Sequence, residues 1–305
     1  MSWVFRRVFA VIVGWAAFCG GVLRAEVVVS SFSTILTEIA REVGGSGVRV
    51  VEHVKLGQDP HDFEPRPGDL KQVSRAAVVL LSAKHMEGYV GKLREVVGPS
   101  AQVVEVGDKF PSLKMAAEVE HVHKPGEKHV HGSEEDPHWW HSVDNARRAT
   151  RVVEGVFAKV DPSGAAGYRQ RADAYVARLE VLHKWVKLRV AELPRGKRTL
   201  VTSHDAFQYF AKEYGFKVLT VVGLSSTDQP SSKAVSQLIE TVRKTGVKAV
   251  FAEETANPKV MQEVTRETGA ILGKRLYADG LGIGEISTYD GMIRHNVSAI
   301  VDALK

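Results

Sequence analysis

Cysteine is almost absent from this chain of 305 residues. The single cysteine, Cys19, lies inside an apolar run over residues 8–23, and no cysteine follows it. The remainder of the chain therefore cannot form a disulfide framework, and it cannot bind a metal through thiolates.

Long apolar runs are also scarce, because residues 8–23 form the only one. Arg6 and Arg7 precede this run, and Arg-Ala-Glu at 24–26 follows it. A charged start, an apolar centre and a small-residue exit are typical of a secretory signal peptide, which we predict over residues 1–25. The alternative is an uncut membrane anchor, but the run is shorter than the ~20 residues that a span needs. We therefore expect a periplasmic protein, or one at the extracytoplasmic membrane surface.

The chain lacks a strong excess of either charge. Lys and Arg total 41 against 36 acidic residues, and the predicted signal peptide contains three of the arginines. Without residues 1–25 the balance is 38 basic to 36 acidic residues, a net charge of +2. Basic residues are dispersed among acidic ones, so we expect no nucleic-acid partner.

Histidine, in contrast, is concentrated in one stretch. Six of the 12 histidines lie in residues 121–141. Residues 121–135 are polar and contain Pro and Gly, which predicts a loop whose histidines are either weak exposed metal chelators or simply solvated. The compact motif Asp136-Pro137-His138 follows, and it repeats the earlier motif Asp59-Pro60-His61. Two such turns suggest that separate loops bring two histidines to one place.

The pattern of apolar residues predicts an α/β fold. We predict strands at 26–30, 48–54, 77–82, 102–106, 199–203, 217–222, 249–252 and 275–278, alternating with helices. Between the two sets of four strands, apolar residues recur in steps of three and four, which predicts a linking helix over 161–194. The sequence therefore predicts two doubly wound α/β lobes, 26–160 and 195–305, joined by a single long rigid helix. A coiled-coil or dimer helix is the alternative for that segment.

Four side chains are candidates for a metal site in the cleft between the lobes. Ligands of open α/β sheets bind beyond the carboxyl ends of the strands. His204 and Asp279 end predicted strands, and His61 and His138 lie in loops that follow strands. Three imidazoles and one carboxylate suit Zn²⁺, whereas Mn²⁺ prefers more oxygen ligands. Each residue could instead form an ordinary turn, cap or packing contact, but four such coincidences together favour a site.

Other polar residues are given simpler roles. Glu253 also ends a strand, and we expect it to bond to the backbone or to an arginine. His53, His85, His183 and His295 are expected to be surface or packing residues.

At these residues the chain resembles the metal-binding receptors of bacterial ABC importers for zinc and manganese. The resemblance extends over the whole chain after residue 25, and the motifs that carry it are Asp-Pro-His-Asp-Phe-Glu-Pro (59–65), Ala-Lys-His-Met-Glu (83–87), Asp-Pro-His-Trp-Trp (136–140), Thr-Ser-His-Asp-Ala-Phe (202–207) and Leu-Tyr-Ala-Asp (276–279). It implies two lobes bridged by one long helix, with metal ligands at His61, His138, His204 and Asp279. Manganese-type members commonly have Glu at the third position, where this chain has His204.

The resemblance implies a binding protein that captures Zn²⁺, or alternatively Mn²⁺, and delivers it to a membrane ABC permease without catalysis. We expect a monomer. A secreted zinc hydrolase is the alternative from another class, with an open metal position and Glu253 or Glu64 as general base, although no His-Glu-x-x-His segment occurs. A surface adhesin would leave the histidines at strand ends unexplained.

Overall fold

A computed structural model describes residues 26–114, 135–223 and 230–305. The predicted signal peptide lies outside these ranges, as does nearly all of the predicted loop 121–135, so both stay predictions. Within the described ranges, no helix has the length and apolar character needed to cross a membrane.

The first lobe is a parallel sheet of four strands with the order β2-β1-β3-β4. The strands are β1 (Val27–Ser31), β2 (Val48–Glu52), β3 (Val78–Leu81) and β4 (Gln102–Glu105). The helices of this half of the chain are α1 (Thr34–Gly44), α2 (Pro67–Val73), α3 (Val90–Val96) and α4 (Val143–Val160). Every residue of β3 is buried, as its continuous apolar sequence predicts for a strand covered on both faces.

The predicted linking helix is α5 (Ala165–Ala191), with 27 residues and a length of about 40 Å. Asp161 accepts a hydrogen bond from Gly164 N and caps a short 3₁₀ turn, Pro162–Gly164, so the α-helix begins slightly later than predicted. Its buried residues recur in steps of three and four, as the sequence indicated: Tyr168, Ala172, Tyr175, Leu179, Leu182, Val186 and Val190. The helix contacts α1 and α4 at one end and the C-terminal helix α9 (Tyr289–Leu304) at the other, so it packs against both halves of the chain.

The second lobe contains two parallel pairs of strands, which a backbone hydrogen bond joins. It contains β5 (Thr199–Thr202), β6 (Lys217–Thr220), β7 (Ala249–Val250) and β8 (Ile271–Leu272), paired in parallel as β5–β6 and β7–β8. Phe251 N donates to Val201 O at 2.9 Å, which joins the two pairs along β5 and β7. Helices α6 (Gln208–Tyr214), α7 (Ser232–Thr245) and α8 (Lys259–Thr268) connect these strands, and α9 follows them.

The predicted last strand, 275–278, is wrong. The last regular strand is β8 (Ile271–Leu272), and its two residues are too few to give a recognisable apolar period. Gly273 then passes so close to the Phe251 ring that a Cβ would lie 2.3 Å from it. Pairing resumes only as an isolated bridge between Leu276 and Glu253. The two-lobed α/β architecture itself is confirmed, whereas the boundaries at 160 and 195 stay predictions.

We expect the buried face of α5 to contribute strongly to stability. Leu182 is fully buried and Leu188 is 73% exposed on the same helix, so Leu188→Ala is a matched control for Leu182→Ala. Leu182→Ala should lower the free energy of unfolding by about 2–5 kcal/mol because it leaves a cavity. Leu188→Ala should change it by less than ~0.5 kcal/mol. Urea unfolding followed by circular dichroism measures both, and equal effects would contradict the burial of this face.

Candidate metal centre

The structure brings the four predicted ligands together. One nitrogen of each histidine and one oxygen of Asp279 all lie within 4.8 Å of one another. His138, His204 and Asp279 are buried, and His61 is half-buried. The four residues come from four separate segments of the chain.

Four of the six separations between ligand atoms are close to those expected around a small tetrahedral ion. A tetrahedron with metal–ligand bonds of about 2.0–2.1 Å has edges of about 3.3 Å. The separations in the structure are 3.2 Å for His61 Nε2 to His138 Nε2, 3.1 Å for His204 Nε2 to Asp279 Oδ1, 3.5 Å for His138 Nε2 to Asp279 Oδ1 and 3.6 Å for His61 Nε2 to Asp279 Oδ1. Two of these separations are shorter than the ideal edge, and two are longer.

The repeated Asp-Pro-His motif forms the same local turn twice. Asp59 Oδ1 accepts a hydrogen bond from His61 N at 2.8 Å, and Asp136 Oδ1 accepts one from His138 N at 2.8 Å. A side-chain oxygen that bonds the backbone two residues later is a known property of Asp in turns. The repeat therefore has a structural reason, because each turn fixes the backbone of a predicted ligand.

Asp136 also orients the ring of His138. Its Oδ1 lies 2.8 Å from His138 Nδ1, and both side chains are fully buried. A carboxylate on one ring nitrogen directs the other nitrogen to a metal. This role of Asp136 was not predicted from the sequence, although the repeated motif was the signal for it.

Glu253 lies beside His204 and accepts hydrogen bonds from the backbone. Ser203 N donates to both of its carboxylate oxygens, at 2.9 and 3.2 Å, and His204 N donates to Oε1 at 3.3 Å. Its Oε1 lies 3.6 Å from His204 Nδ1. The expectation that Glu253 bonds to the backbone is therefore confirmed.

Thr255 holds the carboxylate of Asp279 in place. Its Oγ1 donates to Asp279 Oδ2 at 3.0 Å, while Oδ1 is the oxygen that points to the histidines. The sequence analysis did not identify Thr255, since nothing in its local pattern places it beside residue 279.

The buried charges shift the pKa values of the cluster. Burial disfavours an imidazolium, but Asp279 and then Glu253 hold the pKa of His204 well above its usual range. Burial likewise opposes protonation of His138, yet Asp136 and Asp279 raise the pKa of His138. Burial would raise the pKa of Asp279, but His204 and His138 hold it well below its usual range. Without metal, protons therefore provide the positive charge beside Asp279.

Four further histidines of the described residues lie apart from the cluster. His53 is buried and stacks on Phe32 with ring centroids 4.4 Å apart, whereas His85 is exposed. His183 is 3.2 Å from Tyr214 Oη, and His295 donates to Arg275 O. Packing and surface roles were expected for these four. The loop histidines 121, 123, 129 and 131 lie outside the described residues.

We expect the metal-free protein to lose stability as the pH rises above the ordinary histidine range. The raised pKa of His204 contributes stability that is complete below the unfolded pKa of about 6.5 and is lost as the pH rises through the folded pKa. The lowered pKa of Asp279 contributes stability that is present above its unfolded pKa and is lost as the pH falls through the folded one.

Urea unfolding in a chelating buffer, between about pH 6 and pH 9, measures this dependence. Asp279→Asn should flatten the loss at high pH, because the carboxylate is the main group that raises the pKa of His204. An equally steep loss in the variant would contradict this assignment.

This chain is similar to proteins that are named for metal uptake or metal binding. The family model for the periplasmic component A of the zinc-uptake complex matches residues 27–303. The manganese-binding lipoprotein MntA of Bacillus subtilis (strain 168) is 33% identical over 284 residues, which cover 91% of this chain and 89% of that protein. The iron-binding protein YfeA of Yersinia pestis is 30% identical over 276 residues, covering 90% and 84%.

A solved structure with a similar fold is also named for metal binding. The solved structure of the periplasmic zinc-binding protein TroA from Treponema pallidum superposes with a TM-score of 0.81 at 25% identity, covering 92% of this chain and 99% of that one. This chain therefore belongs to the family of the periplasmic zinc-uptake component A, the metal-binding substrate-binding proteins of ABC transporters.

Proposed function

We propose that this protein captures Zn²⁺ outside the cytoplasm and delivers it to the membrane permease of an ABC importer. The ligands are His61, His138, His204 and Asp279, in the cleft between the lobes. The observation that carries the proposal is the convergence of three imidazole nitrogens and one carboxylate oxygen within 4.8 Å. Zinc is cargo here, so the site must bind it and release it without chemical change.

The donor set supports zinc over manganese. Imidazole suits Zn²⁺, and four-coordinate closed sites are typical of it, whereas Mn²⁺ favours more oxygen. Thr255 bonds the second oxygen of Asp279, which favours a single oxygen ligand from this residue. The names of the relatives differ, since they give manganese, iron and zinc. Mn²⁺ remains the second candidate, because the relative in Bacillus subtilis is named for it.

The comparisons do not support the alternative of a zinc hydrolase. A catalytic zinc normally keeps a position open for water, and Asp279 closes this set. Of the two bases such an enzyme could use, Glu253 already accepts backbone N–H groups with both oxygens. Glu64 is exposed and pairs with Lys92 at 3.4 Å.

The first lobe also contains a hydrogen-bonded Ser–His–Asp arrangement, but it does not support an enzymatic function. Ser30 Oγ lies 3.1 Å from His53 Nε2, and His53 Nδ1 lies 3.0 Å from Asp69 Oδ1. Ser30 is fully buried, however, and Phe32 stacks on the imidazole. No substrate could reach this hydroxyl. The three side chains therefore form a polar contact that connects β1, the end of β2 and α2.

Cellular location and partners follow from the family. Relatives are named as lipoproteins or periplasmic proteins, which supports export of this chain by the predicted signal peptide 1–25. Membership in the family implies a membrane permease as the partner. The monomeric state and the role of loop 121–135 stay predictions.

We expect one tight Zn²⁺ per chain, competed only weakly by Mn²⁺. Asp279→Ala should weaken zinc binding by more than the 10–100-fold typical of residues that merely support a ligand, because it removes a ligand and leaves three imidazoles uncompensated. Asp302→Ala is a matched control, since Asp302 is a surface carboxylate with a side chain 61% exposed. Deletion of residues 121–135 should leave the affinity for Zn²⁺ unchanged. Metal analysis and competition with a chromogenic chelator measure these effects on residues 26–305.

Three other outcomes of this experiment would lead to different conclusions. Preferential binding of Mn²⁺ would keep the transport function and overturn zinc as cargo. Zinc retained undiminished in Asp279→Ala, with an exchangeable water, would favour the hydrolase. Loss of tight zinc binding on deletion of residues 121–135 would indicate that this loop captures the ion.

We also expect zinc binding near neutral pH to release protons. Ligation needs neutral imidazoles, whereas Asp279 raises the pKa values of His204 and His138. Affinity should therefore fall on acidification. Calorimetry in buffers of different ionisation enthalpy counts the protons, and Asp279→Asn should release fewer. Release of no protons by the wild type would contradict the pKa directions assigned to these histidines.

A further inference from the structure

Two residues that follow the ligand His138 have no place in the metal cluster. Trp140 Nε1 donates to Ala278 O at 2.8 Å, and His141 Nε2 donates to the same oxygen at 2.9 Å. Ala278 immediately precedes the ligand Asp279. A carbonyl oxygen accepts two hydrogen bonds, so these two donors use its full capacity.

This contact joins the two halves of the chain beside the metal site. Trp140 and His141 lie just before α4, in the half that carries the first sheet, whereas Ala278 belongs to the second. All three residues are at most 2% exposed. Water cannot easily replace a hydrogen bond at such a depth, and a donor left unpaired there is costly.

Neighbouring contacts hold the two donors in place. Tyr289 Oη donates to Trp140 O at 2.6 Å, while Tyr289 N donates to Glu38 Oε2 on α1 at 2.6 Å. The ring of His141 packs against Phe207, with centroids 4.3 Å apart. Since Phe207 lies three residues after the ligand His204, His141 contacts the surroundings of two ligands and follows a third.

His141 stays a neutral donor over the physiological range. Burial, and then the charge of His138, lower the pKa of His141 to about 3. Its contact with Ala278 therefore persists under conditions in which the ligand histidines gain or lose protons.

We propose that Trp140 and His141 are positioning residues of the metal site, which fix Asp279 against His138 through the carbonyl of Ala278 before the metal binds. We call these two hydrogen bonds the interlobe latch. The backbone path is short on both sides: the donors lie two and three positions after His138, and the acceptor adjoins Asp279. The latch thus sets one edge of the ligand tetrahedron, His138 Nε2 to Asp279 Oδ1, at 3.5 Å. This inference rests on the proposed binding of metal by these ligands.

The test compares three variants of residues 26–305 with the wild type. His141→Leu removes the donor and introduces an apolar side chain of similar bulk. His141→Gln, in contrast, provides an N–H donor at a similar distance from the backbone. Tyr168→Phe is the control, because it removes a buried hydroxyl that donates to Asp161 Oδ2 at 2.7 Å, far from the cluster in sequence. Zn²⁺ affinity and the visible absorption of bound Co²⁺, which reports ligand geometry, are measured on each.

We expect His141→Leu to weaken Zn²⁺ binding about 10–100-fold, as is typical when a partner that orients a metal ligand is removed. It should also shift the Co²⁺ spectrum, and His141→Gln should recover most of both properties. Tyr168→Phe should lower stability without changing affinity or spectrum. Should His141→Leu fail to fold, Trp140→Phe removes the other donor and should also shift the spectrum.

Wild-type affinity and an unchanged Co²⁺ spectrum in His141→Leu would overturn the latch and leave the proposed function intact. So would equal effects in His141→Leu and His141→Gln, which would reduce the role to packing. Failure of the wild type to bind either ion would instead refute the proposed function, and the latch with it.

Discussion

The buried carboxylate of Asp279 is the constraint around which the site is built. A carboxylate away from water is costly unless positive charge or strong donors compensate it. Here the compensation comes from three imidazoles, and the low pKa of Asp279 shows that they outweigh its burial. Protons supply the positive charge in the metal-free protein, and a divalent ion supplies more of it. Under the proposed function, a bound metal would therefore replace protons beside a charge that the fold has already buried.

The surrounding structure keeps that carboxylate in one orientation. Thr255 bonds its outer oxygen, and the latch fixes the peptide before it. The histidines opposite are fixed in turn, His138 by Asp136 and His204 by the backbone contacts of Glu253. Three of the four predicted ligands are thus buried and supported by a second polar group. The fourth, His61, is half-buried, and Asp59 accepts a hydrogen bond from its backbone N–H.

Much of this arrangement could be predicted from sequence because it depends on local patterns. The periodicity of α5, the continuous apolar run of β3 and the two Asp-Pro-His motifs are each readable within a short window. The prediction of a strand at 275–278 was wrong because β8 has only two residues, and the backbone around it bonds to Lys248 and Val250, which lie far away in the sequence. Thr255 and the role of His141 were not predicted, since their partners are 24 and 137 residues away.

The choice of metal then depends on how many oxygens the site can offer. Opening the carboxylate of Asp279 to bind through both oxygens would add one, but it would break the bond from Thr255. The acids nearest the cluster, Asp136 and Glu253, already bond their neighbouring histidines or backbone groups. Under the proposed function, the four donors suffice for Zn²⁺, whereas an ion that favours more oxygen would have to take water or disrupt these contacts. The hydrogen bond from Thr255 and the backbone contacts of Glu253 would then act against ions that need more oxygen ligands.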